Sequence, residues 1–205
     1  MSMMGELTYF LGLQVKQLKH GTFLSQSKYC FDLLKKFKME DCKEAATPID
    51  TNCLMDADEV GNQVDSTKYR ALIGSLLYLT TSRPDIQFGV CLCARFQSNP
   101  KESHFKAAKR ILKYLKGTTN VGLWYPNESN IVLRGFSYFD YAGCKLDKKS
   151  TSGICHLLRS SLISWNSKKQ ACVALSIVEA EYIAGHACAQ SIWLKDQLMD
   201  YGVKL

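Results

Sequence analysis

Two groups of side chains in this sequence could do chemistry. The first is a file of cations, Lys106, Lys109, Arg110, Lys113 and Lys116, within the run from Pro100 to Gly117. At 100° per residue they gather roughly 130° away from Phe105, Ala108, Ile111, Leu112 and Leu115, so one helix carries a basic and an apolar face. Five cations along a helix could neutralise several backbone phosphates of a nucleic acid; the same pattern also describes an ordinary solvated face. The second group is acidic: Asp140, Glu179 and Glu181, in the stretch from Leu133 to Tyr182. There, three strand-like runs lead into a helix, an order that collects acidic groups at one edge of a sheet in an α+β layer.

The elements that must hold these groups follow from local pattern. The run Ile131 to Phe139 mixes β-branched and aromatic residues. Thr151 to Leu158 follows a charged turn, and a third strand over Leu162 to Trp165, resuming near Cys172 to Leu175, is split by polar residues. Ser176 with Glu179 three residues on forms a capping box that opens a helix. Lys145, Lys148, Lys149 and Ser150 to Gly153 make a basic turn that either touches phosphate or is plainly solvated.

Upstream, Leu7 to Val15 and Thr22 to Gln26 read as a hairpin around Lys-His-Gly, with Gly12 a bulge or close-approach point. Tyr29 to Phe37 is a short amphipathic helix with Lys35, Lys36 and Lys38 near its end, where cations suit the helix dipole. Thr47 to Asn62 is a long polar connection. A helix over Ser66 to Thr81 breaks at Arg83-Pro84-Asp85. A second, from Asp85 to Phe96 with Pro84 near its first position, is apolar on most sides and is predicted to be buried. The cationic helix starts at Pro100 and stops at Gly117. Gly117 to Asn130 holds a short strand and turn residues, and a domain boundary is placed there.

A chain of 205 residues with 46% apolar content can bury a core in one large or two small domains, which argues against disorder over most of its length. Twenty-six Lys and Arg against 19 Asp and Glu leave a net charge of +7, a mild push toward anionic partners such as nucleic acid. The nine Cys lack the paired spacing of a zinc knuckle or redox motif and read as buried thiols of a reducing compartment. Cys91 and Cys93 point to different sides of a helix and make a poor metal clip. His20, His104, His156 and His186 are widely spaced and suit surface or satisfied core roles. No apolar run approaches the ~18 residues of a membrane span. The N-terminal MSMMGELTYF lacks the layout of a secretion signal. An intracellular chain, cytoplasmic or nuclear, is expected. Nucleophile elbows and P-loops are absent from the sequence.

Six blocks, YFLGLQV, YRALIGSLLYLTTSRPDI, HFKAAKRILKYLKGT, KKSTSG, LISWNSKKQ and LSIVEAEYIA, occur in an order and spacing that resemble the polyprotein of copia-type long-terminal-repeat retrotransposons, over essentially the whole chain. The resemblance implies an α+β fold: a β-hairpin and a helical thumb or connection region, then an incomplete ribonuclease H-like fold of three antiparallel strands and the first helix. Residues 1–45 would be the end of the reverse-transcriptase palm with a hairpin like a primer grip, 46–120 the thumb and connection, and 121–205 the N-terminal part of the ribonuclease H-like domain.

Ribonuclease H cuts the RNA strand of an RNA/DNA hybrid with two Mg²⁺ ions about 4 Å apart, held by clustered carboxylates. Magnesium prefers such oxygens. The family's first-strand motif, Ser-Asp-Ala-Asp, falls here on Ser137, Tyr138, Phe139 and Asp140. Tyr138, a poor Mg²⁺ ligand, thus occupies the position of the first metal-binding Asp. Asp140 lies two residues on and faces the same side of a strand, displaced by about 6.6 Å. Glu181 matches the second metal-binding carboxylate, whereas Glu179 suits helix capping. The resemblance places the remaining nuclease carboxylates beyond Leu205 and the polymerase Tyr-x-Asp-Asp turn before Met1. It thus implies a middle slice of a Pol polyprotein, with Mg²⁺ as the family's cofactor but not tightly held here.

Three functional readings result. The chain is an enzyme remnant of reverse-transcriptase and ribonuclease H ancestry without a complete active site; or a module that binds an RNA/DNA hybrid or primer-template duplex without catalysis; or a fragment with no molecular function, whose unpaired sheet edge and uncovered apolar face favour aggregation.

Overall fold

The structure is a computed structural model that describes residues 5–50, 55–127, 131–185 and 187–203; His186 and part of the long connection lie outside them. The chain forms two compact units, Met1–Trp124 and Tyr125–Leu205. Both mix helix with antiparallel sheet, so the chain is α+β.

In the first unit, apolar periodicity builds four helices around one core. In α1 (Ser27–Lys36), Cys30, Leu33 and Leu34 are buried, and Lys35 and Lys36 occupy the last turn, where their charge meets the negative end of the helix dipole. In α2 (Ser66–Leu79), the carboxylate of Asp65 accepts the backbone N–H groups of Thr67 and Lys68 at 2.9 and 3.3 Å, capping a start whose donors lack helical partners. Tyr69, Leu72, Ile73, Leu76 and Leu79, spaced by three or four, are fully buried. The Tyr69 hydroxyl donates to the carbonyl of Cys93 at 2.8 Å, so even its polar atom is satisfied inside.

The predicted second helix differs from expectation. Pro84, which has no N–H to offer, begins a 3₁₀ turn over Pro84–Ile86, and only Gln87–Ala94 is α-helical (α3). Gly89, Val90 and Cys93 are buried, but Phe88 is 48% exposed, so the helix is one-faced despite its composition. The cationic helix, α4, spans Glu102–Gly117 and buries Ala108, Ile111, Leu112 and Leu115. At its start the Lys101 N–H donates to His104 Nδ1 at 3.0 Å. A backbone N–H can only donate, so the ring proton sits on Nε2, which donates to the carbonyl of Asp56 at 2.8 Å. His104 also stacks on Phe96 at 3.9 Å, a satisfied core histidine.

The break between α2 and α3 is held by Arg83, whose side chain is 1% exposed. Its Nε and Nη2 donate to both oxygens of Asp85 at 2.9 and 2.7 Å, while Nη1 and Nη2 reach the carbonyl and hydroxyl of Thr118, just after α4. Tyr114 of α4 donates its hydroxyl to the same carboxylate at 2.9 Å. Burial opposes ionisation of Asp85, but the hydrogen bonds from Arg83 outweigh it and hold the carboxyl below its ordinary range.

The hairpin consists of β1 (Tyr9–Phe10), β2 (Leu13–Leu18) and β3 (Gly21–Ser25), and with β4 (Leu123–Pro126) the sheet order is β1-β2-β3-β4. The expected first strand is interrupted at Leu11 and Gly12, both at positive φ. These two residues form the tight turn that pairs β1 antiparallel with β2, and Tyr78 of α2 packs on it, its hydroxyl donating to the carbonyl of Leu11 at 2.9 Å. A Cβ on Gly12 would lie 1.6 Å from that hydroxyl, so Gly12 is a close-approach glycine.

The second unit contains β5 (Leu133–Phe139), β6 (Thr151–Leu158) and β7 (Ser161–Lys169) in the order β5-β6-β7, then α5 (Ile177–Ala184) and α6 (Ala187–Asp200). The predicted split of the third strand is wrong. β7 is one strand because it pairs with β6 from Leu158↔Ser161 to Thr151↔Lys169, with one register shift between His156 and Leu157, and the ladder is indifferent to side-chain polarity; Cys172 to Leu175 is not a strand. Of the thiols expected inside, Cys30, Cys93 and Cys144 are buried, and burial pushes the Cys30 thiol up to about 11. Cys172 and Cys188 are exposed, correcting the expectation for both, and all eight described cysteines are free.

Removing the buried guanidinium should leave the Thr118 carbonyl without its donor and the Asp85 carboxylate without its counter-charge, with the Tyr114 hydroxyl still bonded to it. Arg83→Ala is expected to cost about 3 kcal/mol or more in chemical denaturation at neutral pH. Because the Asp85 pKa is depressed in the folded state, its contribution is present above the unfolded value of about 3.9 and is lost as pH falls below it. The stability gap between wild type and Asp85→Asn should therefore shrink in acid.

Candidate functional site

The basic face of α4 is not open along its length. The segment 42–50 lies along it as a strap. Lys116 donates from Nζ to the carbonyl of Cys42 at 2.7 Å, and the Ala45 N–H donates to the carbonyl of Lys113 at 3.3 Å. Arg110 reaches the carbonyl and hydroxyl of Thr47 at 3.3 and 3.1 Å and pairs with Asp50 at 3.4 Å. Ile49 anchors the strap beneath: a Cβ on Gly89 of α3 would lie 2.6 Å from its Cγ1.

The five predicted cations thus divide. Arg110 and Lys116 hold the strap, and Lys109 lies 4.4 Å over the Phe105 ring. Lys106 and Lys113 open onto a cavity of about 540 Å³ between strap and helix, whose wall also includes Lys43, Arg110, Glu44 and Asp50. Sequence reasoning missed Lys43, because nothing in the local pattern between the helix ending at Phe37 and the connection starting at Thr47 shows that it folds back onto a helix some 60 residues away.

In the second unit, two side chains tie the helices to the sheet. Gln170, buried, donates from Nε2 to the Ser152 hydroxyl of β6 at 2.8 Å and to the carbonyl of Ala180 in α5 at 2.9 Å. His156 Nε2 of β6, also buried, lies 3.0 Å from the hydroxyl of Ser191 in α6. The Ser176 hydroxyl accepts the N–H of Glu179 at 3.1 Å, as the capping box requires, but the Glu179 carboxylate reaches past it to the N–H of Leu175 at 2.7 Å. Glu181 is exposed on α5.

Tyr138 pairs with Gly153 in the β5–β6 ladder and is 73% exposed. Asp140 falls just past the end of β5. Its Oδ1 accepts the N–H of Thr151 at 2.5 Å while its own N–H donates to the Thr151 carbonyl at 3.0 Å, so this carboxylate closes the entry to β6. In the intervening basic turn, Asp147 accepts from Lys169, the last residue of β7, at 2.6 Å, and that hydrogen bond pulls its carboxyl down to about 2.

These donors do not fit a pair of magnesium ions. Among the described residues no three His, Cys, Asp or Glu side chains are grouped to hold a metal, and the carboxylate nearest the Tyr138 position in sequence is engaged with backbone. Nor, among the described residues, is any helix long and apolar enough to cross a membrane.

Comparison with known proteins places the chain in context. It is 38% identical over 201 residues to the retrovirus-related Pol polyprotein from transposon RE1 of Arabidopsis thaliana, a match covering 98% of this chain and 14% of that polyprotein. It is 36% identical over 211 residues to the Pol polyprotein from transposon TNT 1-94 of Nicotiana tabacum, covering 98% and 16%. An uncharacterized mitochondrial protein of Arabidopsis thaliana is 37% identical over 181 residues, 88% of this chain and 75% of that protein. This chain therefore corresponds to a small part of the polyproteins it matches. No protein-family model and no solved structure matches it.

If Asp140 acts as a clamp on the start of β6, Asp140→Ala should cost about 1–3 kcal/mol. Thermal unfolding of the second unit should shift down by several degrees, while titration with Mg²⁺ should leave the melting temperature of wild type and variant equally unmoved. A Mg²⁺-dependent rise confined to wild type would assign the carboxylate to metal instead.

Proposed function

This chain belongs to the retrovirus-related Pol polyproteins of copia-type transposons, and from that premise we propose that it is the Pol segment in which the end of a reverse transcriptase passes into a ribonuclease H-like domain, without hydrolytic activity of its own. The first unit would descend from the polymerase, its hairpin from the primer grip and α2 to α4 from the thumb and connection. The second would descend from the nuclease.

The observation that carries the reading is the state of the acidic groups. By resemblance Glu181 matches the second metal ligand and the phenol of Tyr138 falls at the position of the first; Glu181 is exposed, and Asp140 is bonded to the Thr151 N–H. Two Mg²⁺ ions would activate water and stabilise the leaving oxygen only if several carboxylates shared them. A hybrid of labelled RNA with DNA, incubated with the purified chain and Mg²⁺, should remain uncut. Cleavage that Glu181→Gln abolishes would overturn the reading.

A second reading, duplex binding without catalysis, is favoured by the cavity beside α4, where cations outnumber carboxylates. On this reading the chain binds an RNA/DNA hybrid or primer-template duplex through phosphate contacts, so affinity falls steeply with salt. Changing Lys106, Arg110 and Lys113 together to Ala should weaken hybrid binding and flatten its salt dependence. Undetectable binding at low salt, or a variant that binds like wild type, would contradict it.

A further inference from the structure

The division of the cations by the strap makes a sharper assignment possible, resting on the duplex-binding reading above. A helix that tracked phosphates by its basic face alone would use its cations according to their position on the face. Here the face is partly covered, and the charges exposed to a ligand lie on two walls of one cavity. Lys106 and Lys113 come from α4, and Lys43 comes from the strap opposite. Among the described residues the ammonium groups of these three make no ion pair and no hydrogen bond.

Two carboxylates, Glu44 and Asp50, also line the cavity, and each lies against a group other than these three ammonium ions. Asp50 faces Arg110, and the Glu44 carboxylate is directed to Gly117, where a Cβ would lie 3.0 Å from its Oε2. The strap itself is fixed on both sides of Lys43's neighbourhood, by Lys116 at Cys42 and by the Ala45 N–H at Lys113. The Lys43 backbone is thus ordered before any ligand arrives, which lowers the entropic cost of binding.

We infer that the cavity between the strap and α4 seats a backbone phosphate of the bound nucleic acid between Lys43, Lys106 and Lys113, with Lys43 a binding residue that lies off the helix. Arg110 and Lys116 are positioning residues: they hold the strap, and with it Lys43, rather than the phosphate. Lys109, stacked on Phe105, is peripheral. The chemistry that selects the ligand is that of a phosphodiester oxyanion, met by three point charges and not by base-reading groups, so the seat is indifferent to nucleotide sequence.

The test compares single variants, Lys43→Ala, Lys106→Ala, Lys113→Ala and Lys109→Ala, by fluorescence anisotropy of a labelled RNA/DNA hybrid across a salt series. Lys43 and Lys106 are exposed, so these changes should leave thermal unfolding unaltered. The seat predicts that Lys43→Ala weakens binding severalfold and flattens the slope of log affinity against log salt by about one, as Lys106→Ala and Lys113→Ala do, while Lys109→Ala changes little. If Lys43→Ala binds like wild type while Lys106→Ala, Lys109→Ala and Lys113→Ala all lose affinity, the seat is wrong and the duplex-binding reading survives. If wild type and every variant fail to bind the hybrid at low salt, both fall together.

Discussion

A guanidinium surrounded by hydrocarbon has to be neutralised and hydrogen-bonded on the spot, because the cost of stripping its water is otherwise far larger than the stability of a domain. In the first unit that demand falls on Arg83, and meeting it decides how three helices end and begin. Pro84 stops α2 from running on, Asp85 takes the charge, and Thr118 supplies two further acceptors from beyond α4. The end of one helix, the start of the next and the exit of a third are thereby joined at one side chain. The apolar faces of α2, α3 and α4 then fill the space with Leu, Ile and Val at essentially zero exposure. The basic side of α4 is what that packing leaves outside, and the strap lies along it.

The second unit shows the opposite use of charge. Three of its carboxylates serve local structure: Asp140 closes the turn into β6, Asp147 holds Lys169, and Glu179 reaches back over the start of α5. Each of these contacts contributes a modest amount to stability. Together they engage Asp140 and Glu179, two of the three acidic groups that the sequence places near one edge of the sheet, and among the described residues Glu181 belongs to no group of three side chains that could hold a metal. On the proposed reading, a sheet and helix inherited from a nuclease persist here with the stabilising hydrogen bonds intact and the metal-binding set dismantled.

Much of this was legible from pattern. The buried stripe of α2 follows from the spacing of Tyr69, Leu72, Ile73, Leu76 and Leu79, and the apolar face of α4 from Ala108, Ile111, Leu112 and Leu115. The cap at Ser176 and the close approach at Gly12 were also readable, since each depends on a residue type with a narrow use. What escaped depends on contacts distant in sequence. β7 is continuous because β6 lies beside it, whatever its polar residues suggest. Phe88 is exposed because α3 meets neighbours on one side only, and no local rule says which apolar face will be left open. Lys43 and Asp50 enter the cavity only once Ile49 has folded onto Gly89, and Arg110 changes from a free cation to a strut for the same reason.

On the proposed reading the two units show a separation of roles: phosphate-facing cations in the first and, among the described residues, no set of metal-holding carboxylates in the second. Backbone amide chemical shifts recorded on the chain with an RNA/DNA hybrid, then with Mg²⁺ added, test that separation directly. The account predicts hybrid-induced shifts around Lys43, Lys106 and Lys113 that Mg²⁺ does not extend. Magnesium-dependent shifts centred on Tyr138, Asp140 and Glu181 would contradict it.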